Sequence, residues 1–137
     1  MSLGYLLDTN VVSHIMQGRD AALMARLTRL PVGDVAISSI TLAELEYGLH
    51  RKGQPERLRK ALAQVLLRID VLPWDDKVAL CYGELCSTLE SQGIHPSDFD
   101  MMIAAHAVAV RSTLVSRDKA FALVAKTLAK RLKLEVW

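Results

Sequence analysis

Four acids in this chain fall where apolar runs give way to helix-like segments: Asp8 closing "GYLLD", Glu44 in "ISSITLAELEYG", Asp100 in "SDFDMMIAAHA" and Asp118 closing "TLVSRD". In an open α/β sheet the ligand site lies beyond the carboxyl ends of the strands, so four such acids can share one rim. Clustered carboxylates repel one another and raise each other's pKa. A hard divalent cation removes that conflict, because Mg²⁺ or Mn²⁺ prefers oxygen ligands and keeps several waters for phosphate oxygens. The chemistry this suits is reaction at a phosphate, with water activated near neutral pH and developing charge on its oxygens stabilised. No histidine is required, so His14, His50, His95 and His106 are not assigned to catalysis; His106 reads as a hydrogen-bonded residue inside an apolar helix.

Each acid also has an ordinary reading. Asp8 and Asp118 suit helix N-caps, Glu44 can close a capping box with Thr41, and Ser97-x-x-Asp100 has the form of another. Thr9, Asn10 and Ser116, beside the acids, can orient carboxylates or serve as caps themselves. Asp98 and Asp100 project about 200° apart on a helix, so they cannot both aim at one ion from a regular first turn.

The elements that must position these residues alternate. Strands are expected at "LGYLL", "DVAISS", "DVLPW", "STLVS" and "KLEVW". Between them lie a short helix closed by Gly18, a second that stops before Pro31, and a third from the Ser38–Ser39 caps to Gly53, with Glu44 in its first turns. Pro55 opens an amphipathic helix with Leu58, Leu62, Val65, Leu66 and Ile69 on one stripe. A long helix from Asp75, the helix holding Asp100 and a Lys-rich helix follow. The expected fold is a single α/β domain over residues 1–137, a mainly parallel sheet of four to five short strands with helices on both faces.

A chain of 137 residues, 51% apolar and 23% charged, is long enough for one core and excludes a disordered or fibrous protein. No apolar run approaches the roughly 18 residues needed to span a bilayer, and no basic n-region precedes a cleavable segment, so a cytoplasmic protein is expected. Cys81 and Cys86, five apart, are expected on different faces of a helix as reduced packing residues. Net charge is only +2, but with the four acids set aside 17 Lys and Arg face 11 acids, a basic surround suited to a polyanion. Arg51, Lys52, Arg57, Arg59 and Lys60 form one patch suited to RNA phosphates, and Phe121 to Lys133 is a second basic stretch; both also fit a solvated surface.

Taken in order, "LLDTN", "ISSITLAELEYG", "GIHPSDFDMMIAAHA" with its Asp-x-x-Ile-Ala-Ala-His-Ala core, "TLVSRD" and "LKLEVW" resemble the PIN-domain family, and within it the VapC-type toxins of bacterial toxin–antitoxin pairs. The resemblance spans almost the whole chain. It implies a PIN-like fold and a Mg²⁺- or Mn²⁺-dependent endoribonuclease with Asp8, Glu44, Asp100 and Asp118 as the catalytic set, Asp8 and Asp100 being direct metal ligands. The stretch from Gly93 to Asp100 matches the family's Gly-to-Asp loop without a gap, which puts Asp100 rather than Asp98 in the ligand position. It further implies RNA as substrate, a VapB-type antitoxin as partner and a homodimer, within a larger toxin–antitoxin assembly. The family's fourth acidic position varies between Asp and Asn, and Phe121 to Lys133 is longer and more basic than the family's usual passage into its last strand.

Other readings fit less well. A phosphohydrolase with an Asp nucleophile calls for Asp-x-Asp-x-Thr, whereas Asp8 is followed by Thr9 and Asn10. A Toprim-like order lacks a place for Asp8. A non-catalytic PIN-like module that binds RNA or protein has no reason to keep four repelling carboxylates. The apolar faces from Ile40 to Leu49 and from Leu58 to Ile69 are expected to exceed the needs of one core, leaving a dimer surface and an antitoxin groove. With aromatic residues at 5%, recognition is expected to rest on RNA shape and backbone rather than extensive base stacking.

Overall fold

A computed structural model describes residues 4–137; Leu3, where the sequence reading starts its first strand, lies outside the described residues. The apolar triplet Tyr5–Leu7 forms β1, at the centre of a sheet. Helix α1 (Thr9–Gln17) follows at once and ends on Gly18, whose φ of 68° is the left-handed conformation that glycine adopts without a Cβ penalty. After α2 (Ala21–Arg29) come β2 (Val35–Ser38), α3 (Ser39–Arg51), α4 (Glu56–Leu66) and β3 (Asp70–Leu72). The second half holds α5 (Asp76–Ser91), α6 (Asp98–Ala109), β4 (Thr113–Val115), α7 (Lys119–Thr127) and β5 (Leu134–Glu135).

The strands pair in the order β3-β2-β1-β4-β5, and every pairing is parallel. Chain order runs one way from β1 through β2 and the other way through β4, so the switch point lies at the carboxyl ends of β1 and β4. Register sets Leu6 beside Ala36 and Leu114, and Leu7 beside Ile37 and Val115. Because successive strand residues face opposite sides, Leu6 packs with α5, α6 and α7, while Leu7 packs with α1 to α4. Each is fully buried, and burial of one such side chain is worth about 1.5–3 kcal/mol. At the amino end a Cβ on Gly4 would stand 2.5 Å from the Asp34 carbonyl oxygen, so only glycine lets these two segments approach.

Several expectations change. The apolar faces of α3 and α4 are mostly consumed: Leu45, Leu49, Leu62 and Val65 are buried in the α1–α4 core, and Ile69 joins them from beyond the end of α4. Leu66 and Leu67 remain exposed. Cys81 and Cys86 are free and both half-buried against the α5–α7 core, so the inward face of α5 is wide enough to take both. The Lys-rich stretch is not one helix: α7 ends at Thr127, Ala129 turns to φ 54°, and a short 3₁₀ turn, Ala129–Arg131, leads into β5.

Candidate active site

Asp8 sits directly past β1, and its amide donates to the Val115 carbonyl at 3.0 Å, fixing it against the end of β4. One carboxylate oxygen, Oδ1, accepts from the Val11 amide at 2.8 Å, which caps α1. The other, Oδ2, accepts from the Ser116 hydroxyl at 2.5 Å. Ser116 Oγ in turn accepts from the Asp118 amide at 3.0 Å, so its single proton is committed to Asp8. The capping reading and the site reading therefore describe the same carboxylate. Asp8 is only 3% exposed, and burial drives its pKa above the usual carboxylate range. The two hydrogen bonds oppose that rise, whereas the charges of Asp100 and Asp118 add to it.

Asp100, in the first turn of α6, is half-buried; its amide donates to the N-cap Ser97 Oγ at 3.2 Å. Its pKa is raised by burial first, lowered by hydrogen bonding to Ser97 and raised again by Asp118. Asp118 is exposed and caps α7, its Oδ1 accepting from the Ala120 amide at 2.9 Å. Ser116 and Arg117 separate it from β4, so it does not follow the strand directly as its sequence suggests. Asp8, Asp100 and Asp118 thus act on one another electrostatically from the N-termini of three helices, where each half-charge of the helix dipole favours an anion.

Glu44 stands to one side. It lies in the second turn of α3, because that helix starts at Ser39 and is capped by Ser38, whose Oγ accepts from the Ile40 amide. The capping box with Thr41 does not form. Instead Glu44 Oε1 accepts from Thr9 Oγ1 at 2.6 Å, and Thr9 Oγ1 lies 3.4 Å from Thr41 Oγ1. Thr9 follows Asp8, so Glu44 is joined to the rim by one residue. Thr41 is fully buried; its spacing of three from Glu44 on one helix face was the available signal for this role.

A hollow lined by Thr9, Glu44, Tyr47, Arg51 and Phe99 opens beside the acids. Tyr47 and Phe99 are 66% and 51% exposed there, and the Arg51 guanidinium stands 5.5 Å from the Tyr47 ring centre. Two aromatic faces therefore adjoin the acids despite the low aromatic content. A second hollow, between α1, α3 and α4, takes in Glu44, Arg51 and Lys52. The rest of the basic patch is otherwise occupied: Arg59 pairs with Glu46 at 2.7 Å and bonds Gln54, and Lys60 pairs with Glu56 at 3.1 Å. Arg57 is exposed, as is Asn10, which bonds to none of the acids among the described residues.

Asp98 turns elsewhere, into a hollow with Tyr82, Glu90 and His95. His106 is buried, with Nδ1 2.8 Å from Ser38 Oγ, and burial holds its pKa below the ordinary histidine value. Among the described residues no three His, Cys, Asp or Glu side chains are grouped tightly enough to cage an ion unaided. Mg²⁺ does not need such a cage, since one or two carboxylates suffice when waters and phosphate oxygens fill the other positions. Each Asp8 oxygen accepts one bond and keeps a further lone pair, and the charges of Asp100 and Asp118 add to the rise in the Asp8 pKa. An all-oxygen, mutually repelling donor set fits a hard divalent cation.

The chain is similar in sequence and in fold to known proteins. The PIN-domain sequence pattern matches residues 5–127. The chain is 34% identical over 115 residues to the ribonuclease VapC2 of Rickettsia felis, covering 83% of this chain and 86% of that one. It is 37% identical over 105 residues to the tRNA(fMet)-specific endonuclease VapC of Shigella flexneri, covering 77% and 79%. Its fold is similar to a chain in the crystal structure of VapBC2 from Rickettsia felis bound to a DNA fragment from their promoter, with a TM-score of 0.88, 32% identity and coverage of 98% of this chain and 99% of that one. The chain belongs to the PIN-domain family, in its VapC branch.

Proposed function

We propose that this protein is an endoribonuclease toxin that hydrolyses RNA to 5′-phosphate and 3′-hydroxyl products and is neutralised by a VapB-type antitoxin. The observation that carries the reading is Asp8: a buried carboxylate at the sheet's switch point, gripped at both oxygens and facing two further acids. The ribonuclease names of its relatives and the VapBC complexes among its structural neighbours support the same reading.

Asp8 and Asp100 would hold Mg²⁺ or Mn²⁺, with Asp118 and Glu44 completing the acidic set. When bound, the cation supplies charge neutralisation at the phosphate and activates water near neutral pH. The chain's own residues do the positioning. Ser116 and the Val11 amide favour the ionised form of Asp8 in opposition to its burial and fix its orientation. Thr9 aims Glu44. Arg51 and Lys52 beside Glu44 draw RNA phosphates to the rim, while Tyr47 and Phe99 offer faces for an unstacked base. The hollow between α1, α3 and α4 is the seat for an antitoxin segment, and Leu66 and Leu67 contribute apolar surface to a homodimer. The site of action is the cytoplasm.

The test is RNA cleavage by purified, antitoxin-free protein, with 5′ ends sequenced. Cleavage is expected only with Mg²⁺ or Mn²⁺ and is expected to vanish in EDTA and in Asp8→Ala and Asp100→Ala. Metal-dependent cleavage surviving both substitutions would sink this assignment of the site.

A further inference from the structure

We infer that the amino end of the sheet carries a phosphate-binding pocket, separate from the acidic rim, that holds a backbone phosphate of a folded RNA; the RNA assignment rests on the ribonuclease reading above. The pocket, about 230 Å³, is lined by Val108, Arg111, Ser112, Lys130, Arg131 and Lys133. Two separate stretches of chain build it: the turn between α6 and β4, and the 3₁₀ turn leading into β5. They are knitted together where the Leu114 amide donates to the Lys133 carbonyl at 2.9 Å. Four of the six lining residues are cationic and none is acidic. Arg131 is paired with Glu84 at 2.5 Å, but among the described residues Arg111, Lys130 and Lys133 have no acidic partner.

Two observations separate this pocket from an ordinary basic surface. Ser112 is 3% exposed, and its hydroxyl is buried without any hydrogen-bond partner. Buried hydroxyls are rarely left so, and Ser112 stands in the wall of this pocket. Arg111 sits at φ 58°, a conformation that favours glycine. It is the C′ residue of a Schellman turn, with the Ser112 amide donating to the Ala107 carbonyl at 2.9 Å and the Arg111 amide to the Val108 carbonyl at 3.2 Å. The backbone there would be better served by glycine, and the arginine places a cation in the pocket wall instead. Attraction to the negative end of α6 accounts for Arg111 alone, not for Lys130, Lys133 or the unpartnered hydroxyl.

The four cations are all solvent-exposed, so the pocket admits a phosphate still linked into a chain. Asp100 opens α6 and Arg111 follows its end, which sets the two sites roughly 16 Å apart along the helix axis. A di- or trinucleotide seated at the acids is too short to reach both sites. A folded RNA reaches both.

The experiment uses the whole antitoxin-free protein in EDTA, so that binding is read without cleavage. Binding of a fluorescent transfer RNA is followed across a salt series for the wild type, Lys130→Ala/Lys133→Ala and Arg111→Gly. The double variant is expected to bind about 10-fold more weakly at moderate salt and to lower the salt slope by about 1 to 2. Arg111→Gly is expected to weaken binding about 3-fold while raising Tm by roughly 3 °C, so lost affinity cannot be misread as lost folding. Metal-dependent cleavage of a short oligonucleotide should stay within about two-fold of wild type in both. Separately, inorganic phosphate should shift the backbone amide resonances of Ser112 and Lys133 in the wild type and not in the double variant. Unchanged RNA affinity and slope in both variants overturn the RNA assignment, and phosphate shifts that persist without them reduce the pocket to a small-anion site. No phosphate shift overturns the pocket itself. A wild-type protein that binds no RNA sinks the ribonuclease reading, and the phosphate titration then decides the pocket alone.

Discussion

The two ends of this sheet carry opposite charge. At the carboxyl end stand Asp8, Asp100 and Asp118, at the starts of α1, α6 and α7; at the amino end stand Arg111, Lys130, Arg131 and Lys133, after the ends of α6 and α7. Because every strand pairing is parallel, these helices start at one rim and α6 ends at the other. Their dipoles favour anions at the first and cations at the second, by about 0.3–1 kcal/mol per well-placed charge. Topology therefore sorts the signs. It does not fix the side chains equally: Asp8 is locked by two donors, whereas three of the four cations lack an acidic partner among the described residues. The carboxyl end should be sensitive to orientation, and the amino end to salt.

The largest effects should come from the locked end. Asp8→Ala and Asp100→Ala are expected to lower RNA cleavage on the order of 10³-fold, measured by single-turnover kinetics with Mg²⁺. Asp98→Ala, two residues from Asp100 but turned into a different hollow, should stay within about two-fold of wild type. Equal losses at Asp98 and Asp100 would mean that acidity at the rim matters and geometry does not. Ser116→Ala comes next: it leaves every acid in place but removes the hydroxyl that orients Asp8, so metal affinity should fall about 10-fold by calorimetry.

Much of this was legible in the sequence, for identifiable reasons. The strands are short apolar runs bounded by cap residues, and Gly18, Ser97 and Asp75 end or start helices where their chemistry predicts. The helical period sends Asp98 and Asp100 in different directions, which the structure bears out by turning Asp98 into another hollow; the choice of Asp100 as ligand came from the likeness to the family's Gly-to-Asp loop. What failed depended on three dimensions. The place of Glu44 in its helix followed from which of several adjacent Ser and Thr residues acted as the cap, and its bond to Thr9 crosses 35 residues. The faces of α3 and α4 looked spare because nothing in their own periodicity shows how much of them α1, α2 and β1 cover. The amino-end pocket joins Arg111 to Lys130, Arg131 and Lys133, some twenty residues on, and nothing in the sequence alone brings the two stretches together.

A smaller effect tests the energetic side of the acidic rim. The pKa of Asp8 is raised in the folded protein, so the native state holds its proton more tightly than the unfolded chain does. Stability of the metal-free protein should therefore fall as pH rises from the ordinary Asp value near about 3.9 through the raised folded value, and stay lower above it. Asp8→Asn should remove that slope and raise Tm at neutral pH. Added Mg²⁺ should stabilise the wild type by mass action and leave Asp8→Asn unmoved. A lower Tm for metal-free Asp8→Asn would show that the Ser116 and Val11 bonds outweigh the burial of charge.

The smallest effect belongs to His106, which lies on α6 between the two ends and is perturbed mainly by burial. Protonation would place a hydrogen on both ring nitrogens, and Nε2 is buried with no partner, so the cation is disfavoured in the fold; Asp75 offsets this in part. A histidine with a lowered folded pKa has the opposite linkage to Asp8: the unfolded chain takes up the proton first. Stability should hold above about pH 6.5 and decline as pH falls from there through the folded value. Comparing Tm from pH 7.5 to 5 in wild type and His106→Gln reads this directly, because the variant cannot titrate there but retains a polar group to meet Ser38. The wild type should lose more stability on acidification than the variant over that interval. Parallel curves would place the acid sensitivity at the charged ends of the sheet rather than at its buried middle.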